Sequence, residues 1–275
     1  MKTIIALTDF SENSLNAVNY AADMACLIRA RLTIMNVVPL PMSGAEVPVP
    51  AYNFQDLDDD AQEELKLLKQ KIEERTNGHI IVHAEIRPGN LLPMLKDYCE
   101  MVKPFAVVMG EESAGALERT LLGGAAVSAL RDIYWPVIFV PFNATFEGIK
   151  KIGLACDLKK VHETVHVEPI KAFVKEFDAE LHVVNISDNG QNAFDDKAVL
   201  ESMILQEMLG ELNPKYHFIS SKDTDTAIQK FVVEKDMDML MLIPKKHLFP
   251  GTMFKARHSK ELLLEAEVPI LSIHA

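Results

Sequence analysis

Leu32-Thr33-Ile34-Met35-Asn36-Val37-Val38 and Leu181-His182-Val183-Val184-Asn185-Ile186-Ser187 are two apolar runs with an Asn at the fifth position of each. A second pair accompanies them. Ile5-Ala6-Leu7-Thr8-Asp9 matches Gly153-Leu154-Ala155-Cys156-Asp157, an apolar run closed by Asp. Runs this short, bounded by polar residues and separated by longer stretches of helical period, read as strands of a parallel sheet joined by helices. The first half carries such runs at 3–7, 32–38, 80–86, 105–109 and 137–140, with helical patterns at 12–30, 57–76, 90–102 and 117–132. The second half repeats the order at 152–156, 181–186, 216–220, 239–243 and 270–273.

The spacing supports a duplication. Asp9 and Asp157 stand 148 residues apart and Leu32 and Leu181 stand 149 apart, whereas Met109 and Ile243 differ by 134 and Pro136 and Pro269 by 133. The first half therefore carries about 15 more residues between its second and fourth strands. That excess falls in a proline-rich loop running from Pro39-Leu40-Pro41 to Pro48-Val49-Pro50. The expectation is an α/β fold of two tandem doubly wound units, flavodoxin-like or Rossmann-like, over 1–145 and 146–275, each a five-stranded parallel sheet flanked by helices. In such folds ligands sit at the carboxyl ends of the strands, near the topological switch point. The last strand of each half, 137–140 and 270–273, would be a bare sheet edge unless the two paired. The reading is therefore an intramolecular pseudo-dimer, with association of whole chains into a homodimer left open.

Composition narrows the function. The 275 residues carry a formal net charge of -12, a field that repels phosphate backbones and anionic membrane surfaces. Neither nucleic acid nor membrane is expected as a partner. Three widely spaced cysteines, Cys26, Cys99 and Cys156, suit reduced thiols. With no signal h-region at the start and no stretch of about 20 apolar residues, the expected location is the cytoplasm.

The opening Ile4-Ile5-Ala6-Leu7-Thr8-Asp9-Phe10-Ser11-Glu12-Asn13-Ser14 resembles the start of a universal stress protein domain. So does the segment from Val107-Val108-Met109-Gly110 through Leu121-Leu122-Gly123-Gly124 to Trp135-Pro136-Val137. The resemblance implies a role in stress tolerance through binding or regulation rather than catalysis. It also implies that some members take ATP on a loop of the form Gly-x2-Gly-x9-Gly-[Ser/Thr], with the Asp that ends the first strand meeting the adenosine. Glycines there admit backbone N–H groups to phosphate, and the following helix offers its positive dipole end.

By that resemblance the nucleotide-binding candidates are Asp9, Val38, Gly110 and Gly123, with ATP or AMP as the ligand. The first half departs from the motif in two ways: Ser113 stands for the second Gly and Gly124 for the terminal hydroxyl. Glu111 and Glu112 also bring like charge to the loop, each contact costing about 1 kcal/mol in water and about 4 at an intermediate dielectric. In the second half Pro244 replaces the first Gly, His247 the second, and Arg257 stands at the end of the motif. That stretch is the most basic in the chain, and Lys245, Lys246 and Arg257 are its candidates for anion binding, set against a solvated lysine-rich surface.

For Asp9 and Asp157, two readings stand: contact with a ribose or base, or capping of the following turn. For Asp157, capping is the favoured one. His162-Glu163-Thr164-Val165-His166 matches H-E-x-x-H, in which two His one helical turn apart bind zinc. Pro169 breaks the extended form, so the pair is a weak metal candidate, and no structural metal is expected. No catalytic constellation emerges. A weak ATPase, a metal-dependent hydrolase using His162 and His166, and a scaffold that binds no ligand are the alternatives to a nucleotide-binding regulator.

Overall fold

The computed structural model describes residues 1–39, 54–110, 133–187, 196–243 and 267–273. Their order is β1 (Thr3–Leu7), α1 (Glu12–Ile28), β2 (Arg31–Val38), α2 (Phe54–Arg75), β3 (Val82–Pro88), α3 (Leu91–Val102), β4 (Ala106–Gly110) and β5 (Val137–Val140). Then follow β6 (Lys151–Ala155), α4 (Val161–Thr164), α5 (Val167–Phe177), β7 (Glu180–Ser187), α6 (Asp196–Leu209), a 3-10 turn (Gly210–Leu212), β8 (Lys215–Ser220), α7 (Thr224–Lys235), β9 (Met239–Leu242) and β10 (Ile270–Ser272). The helical pattern read at 117–132 lies outside the described residues.

All ten strands form one sheet in the order β3-β2-β1-β4-β5-β10-β9-β6-β7-β8. Each half thus has the same internal order, and the two are joined where β5 and β10 pair antiparallel, with Ile270 opposite Phe139, Leu271 opposite Ile138 and Ser272 opposite Val137. The other neighbours pair in parallel. Pairing the two central edges satisfies their backbone groups and leaves β3 and β8 as the outer edges.

The inner strands β1, β5 and β9 are buried on both faces, which is why they read as unbroken apolar runs, whereas the outer strands β3 and β8 are largely exposed or half-buried. Ile4 and Ala6 of β1 face the side covered by α1 and α2, while Ile5 and Leu7 face the side that carries α3. The second half places α5 and α6 on the first side and α7 on the other, so each core runs across both halves. α1 presents a stripe of small residues, Ala17, Ala21, Ala22 and Ala25, which lets its axis lie close to the sheet. Arg29, at φ 51°, ends that helix in the left-handed conformation and donates its N–H back to Ala25 and Cys26.

Aromatic packing joins the halves beyond the strand pair. Phe105 stacks on Phe173 with centroids 4.4 Å apart, and Phe146 meets the edge of Tyr20 at 5.1 Å while lying 6.5 Å from Phe177. Lys2 forms an ion pair with Glu176 and lies over the Phe105 ring at 5.1 Å. Asn16 donates through Nδ2 to the carbonyls of Pro141 and Ala144, both at 3.1 Å, and so ties α1 to the segment leaving β5. Tyr20 is pushed above the ordinary phenol value, first by burial and then by the charge of Asp238. Asp238 itself accepts the N–H groups of Lys150 and Lys151 at 2.7 and 2.8 Å.

Candidate functional site

The parallel registers Leu7↔Met35 and Ala6↔Val108 bring the carboxyl ends of β2, β1 and β4 side by side. Of the residues read from sequence as nucleotide-binding candidates, Val38 and Gly110 are the last residues of β2 and β4, and Asp9 lies just past β1. Gly123, Lys245, Lys246 and Arg257, together with Glu111 and Glu112, lie outside the described residues.

The turn after β1 is held by short-range hydrogen bonds. Thr8 donates its N–H to Met35 O at 3.0 Å, its Oγ1 accepts from Phe10 N at 3.0 Å, and its carbonyl accepts Asn36 Nδ2 at 2.8 Å. Phe10 takes φ 65°, turning the chain into α1. Asp9 Oδ1 accepts from Ser11 N at 3.0 Å and from Ser11 Oγ at 2.6 Å, the local loop an Asp side chain forms with its own backbone two residues on. Ser11 caps α1, its side chain accepting from Ser14 N. Burial raises the Asp9 carboxyl, but hydrogen bonds from Ser11, Ser14 and the local backbone outweigh it and hold the group below its ordinary value. Asp9 is thus ionised at neutral pH, and its residue is exposed.

The corresponding turn of the second half repeats this backbone with a different exposure. Cys156 donates its N–H to Val184 O at 3.0 Å, and its carbonyl accepts Asn185 Nδ2 at 2.9 Å. Leu158 takes φ 48°, and Lys159 donates its N–H to Asp157 Oδ1 at 3.2 Å. Asp157, however, is 6% exposed. Glu201 of α6 reaches over to accept Val161 N at 2.8 Å, so the first turn after β6 is capped from within the protein.

Gly110 has a packing role that the motif reading did not assign. A Cβ placed there would lie 2.6 Å from Asn13 O and 2.8 Å from Asn13 C. The first turn of α1 therefore sits on the end of β4 so closely that only Gly fits. The contribution of Asn36 and Asn185 was also missed: their coincidence in the two runs was visible, but a tie from the second strand to the turn after the first was not.

The H-E-x-x-H reading needs correction, because His162 and His166 do not share a helix. α4 stops at Thr164, Val165 is extended at φ -116° and ψ 109°, and His166 is the N-cap of α5. Pro169 is the cause. It has no N–H for the carbonyl of Val165, and its ring excludes the helical backbone that would join the two segments. Among the described residues, no group of three or more His, Cys, Asp or Glu side chains converges on a metal position. Cys99 and Cys156 are buried thiols, and burial pushes Cys99 up to about 12.

The model of the universal stress protein family matches residues 1–141. The chain belongs to the universal stress protein family. A universal stress protein of Methanocaldococcus jannaschii is 30% identical over 145 residues, covering 50% of this chain and 81% of that one. Among solved structures, a universal stress protein from Archaeoglobus fulgidus aligns over 99% of this chain and 98% of its own, at 20% identity and a TM-score of 0.74. A putative universal stress protein from Pseudomonas aeruginosa aligns over 100% and 93%, at 14% identity and 0.60. These structural likenesses establish the α/β fold along the chain. No helix among the described residues is long and apolar enough to cross a membrane.

Proposed function

We propose that this universal stress protein is a binding and regulatory protein of two domains, 1–145 and 146–275, in which the first takes an adenine nucleotide, ATP or AMP, and the second does not. The observation that carries this is the contrast between two equivalent carboxylates. Asp9 is ionised and exposed at the mouth of the β2-β1-β4 strand ends, whereas Asp157 is 6% exposed. A ribose has hydroxyls that an exposed carboxylate accepts, and Val38, half-buried at the end of β2, supplies an apolar neighbour for a base. Gly110 and Gly123 would bring backbone donors toward the phosphates.

In this reading the protein acts in the cytoplasm, by occupancy rather than by turnover, and neither nucleic acid nor membrane is its partner. The paired β5 and β10 edges replace an association between separate domains. A homodimer of whole chains would form through other surfaces.

Isothermal titration of ATP and AMP into the wild type, Asp9→Asn and Asp157→Asn tests the reading. A ligand present at a hundredfold excess over Kd stabilises the native state by about 2.7 kcal/mol, so a thermal shift serves as an independent readout. The expected outcome is binding to the wild type and Asp157→Asn, weakened at least tenfold in Asp9→Asn. Equal weakening by both substitutions, or no heat and no shift with either nucleotide, refutes it.

A further inference from the structure

Two imidazoles meet beneath α7 at the outer edge of the second half. His182 on β7 and His217 on β8 are 35 residues apart in sequence, yet Nδ1 of His182 lies 3.1 Å from Nε2 of His217. The rings are nearly parallel, with an interplanar angle of 5° and centroids 5.2 Å apart. His182 is 6% exposed, and the His217 ring packs against Phe231 of α7 at 5.1 Å. Register explains the meeting: His182 is opposite Lys215 and Val184 is opposite His217, so the two His are diagonal neighbours on one face of the sheet.

The contact constrains the protons. Glu180 Oε2 lies 3.3 Å from His182 Nε2, which places a proton on that nitrogen in the neutral ring and leaves Nδ1 to accept from His217 Nε2. One added proton is accommodated between the rings, because His182 then donates through both nitrogens once His217 shifts its own proton to Nδ1. A second added proton is not, since Nδ1 and Nε2 would then both be donors facing each other.

The surrounding charge disfavours it further. Among the described residues Glu180 is the one carboxylate bonded to the pair, and it also binds Lys215 Nζ at 2.5 Å. Lys215 on β8, Lys151 on β6 and Lys235 on α7 all act on these imidazoles with positive charge. Asp236, after α7, is ion-paired with Lys151 at 3.6 Å and largely solvent-exposed. Burial lowers both His below the ordinary value, opposed for His182 by Glu180 and reinforced for His217 by the charge on His182.

We propose that the His182–His217 pair is a proton-sensitive latch that holds the edge strand β8, with α7 above it, onto the sheet near neutral pH and loosens it on acidification. The direction follows from linkage. Groups whose native value is depressed contribute stability that is present above the unfolded value, about 6.5 for His, and that declines as pH falls below it. Opening of β8 then gains up to about tenfold per pH unit for each proton taken up on release. The first half has its own internal reference: Thr33 and Glu85 occupy the places of His182 and His217, so β3 is an outer edge without the pair.

Amide hydrogen exchange across β8 and β3, corrected for the intrinsic pH dependence of exchange, tests the latch. The ratio of β8 to β3 protection should fall at least tenfold between pH 7.5 and 5.0 in the wild type and fall clearly less in His217→Gln, which removes one titrating ring and the donor clash but leaves His182; an equal fall in that variant would show that the pair is not the latch. If that variant fails to fold, the NMR titration of the two wild-type imidazoles decides. Two separated steps, the second below the ordinary His range, support the latch. A constant protection ratio in the wild type, or both rings titrating together near 6.5, overturns it.

Discussion

Asn36 donates through Nδ2 to the carbonyl of Thr8 at 2.8 Å, and the same bond recurs at 2.9 Å from Asn185 to Cys156. Both Asn residues are buried, at 6% and 5% exposure. In each case the amide crosses from the second strand of a half to the residue where the first strand turns toward its helix. The carbonyl so engaged has left the strand ladder, and the amide supplies its partner away from water.

Replacing either Asn by Ala therefore strands a buried carbonyl and should cost about 1–3 kcal/mol. The two losses should be similar, because the surroundings are matched. Urea denaturation of Asn36→Ala and Asn185→Ala measures both, and a loss under about 0.5 kcal/mol in either would show that the amide is dispensable to the turn.

Gly110→Ala should destabilise the first half by about 1–3 kcal/mol, the usual range for inserting a methyl into a packed site. The added Cβ meets backbone rather than a movable side chain, 2.6 Å from Asn13 O, so relief requires shifting the start of α1. A melting temperature equal to that of the wild type would contradict this. Because the fold itself responds, loss of ligand binding in a Gly110 variant does not by itself report on phosphate contact.

The Asp9 carboxyl is held below its ordinary value, so its ionised form supports the folded state. Stability from this group is present above the unfolded value, about 3.9, and is lost as pH falls through the lower native value. Asp9→Asn, which keeps an acceptor for Ser11 but does not titrate, should lose less stability than the wild type between about pH 5 and pH 2. Parallel acid-denaturation curves would rule out a structural contribution from the charge.

Phe105 and Phe173 come from different halves and stack at 4.4 Å. Phe173 is 1% exposed, and truncating it to Ala should cost about 3–5 kcal/mol. A double-mutant cycle with Phe105→Ala should return about 0.5–1.5 kcal/mol of coupling for the stacked pair. If the halves melt as one cooperative unit, both single variants lower a single transition; separate transitions for the two halves would show that the shared core does not unite them.

Much of the fold was legible because fully buried parallel strands must be continuous apolar runs, and a duplicated chain displays them twice in the same order. The Asp closing 5–9 and 153–157 and the Asn within 32–38 and 181–187 were visible as coincidences. Sequence also indicated the pairing of the last strands, since an apolar edge such as Val137-Ile138-Phe139-Val140 leaves unpaired backbone groups unless covered. H-E-x-x-H stood only as a weak metal candidate, and its spacing has meaning only on a continuous helix, whereas a new helix starts at Val167 with Pro169 in its first turn.

Sequence by itself determined the α/β class, the repeat and the succession of strands and helices along each half, all of which follow from local hydrophobic period and chain spacing. Tertiary structure alone decided the rest. Asp9 and Asp157 are the same residue after equivalent strands, yet packing around the second half buries one and leaves the other at the surface. Gly110 owes its identity to a backbone 97 residues earlier, at Asn13, and His182 meets His217 only through the register of β7 on β8. Exposure, close approach and proton sharing depend on distances between residues remote along the chain, and those distances exist only once the sheet has formed.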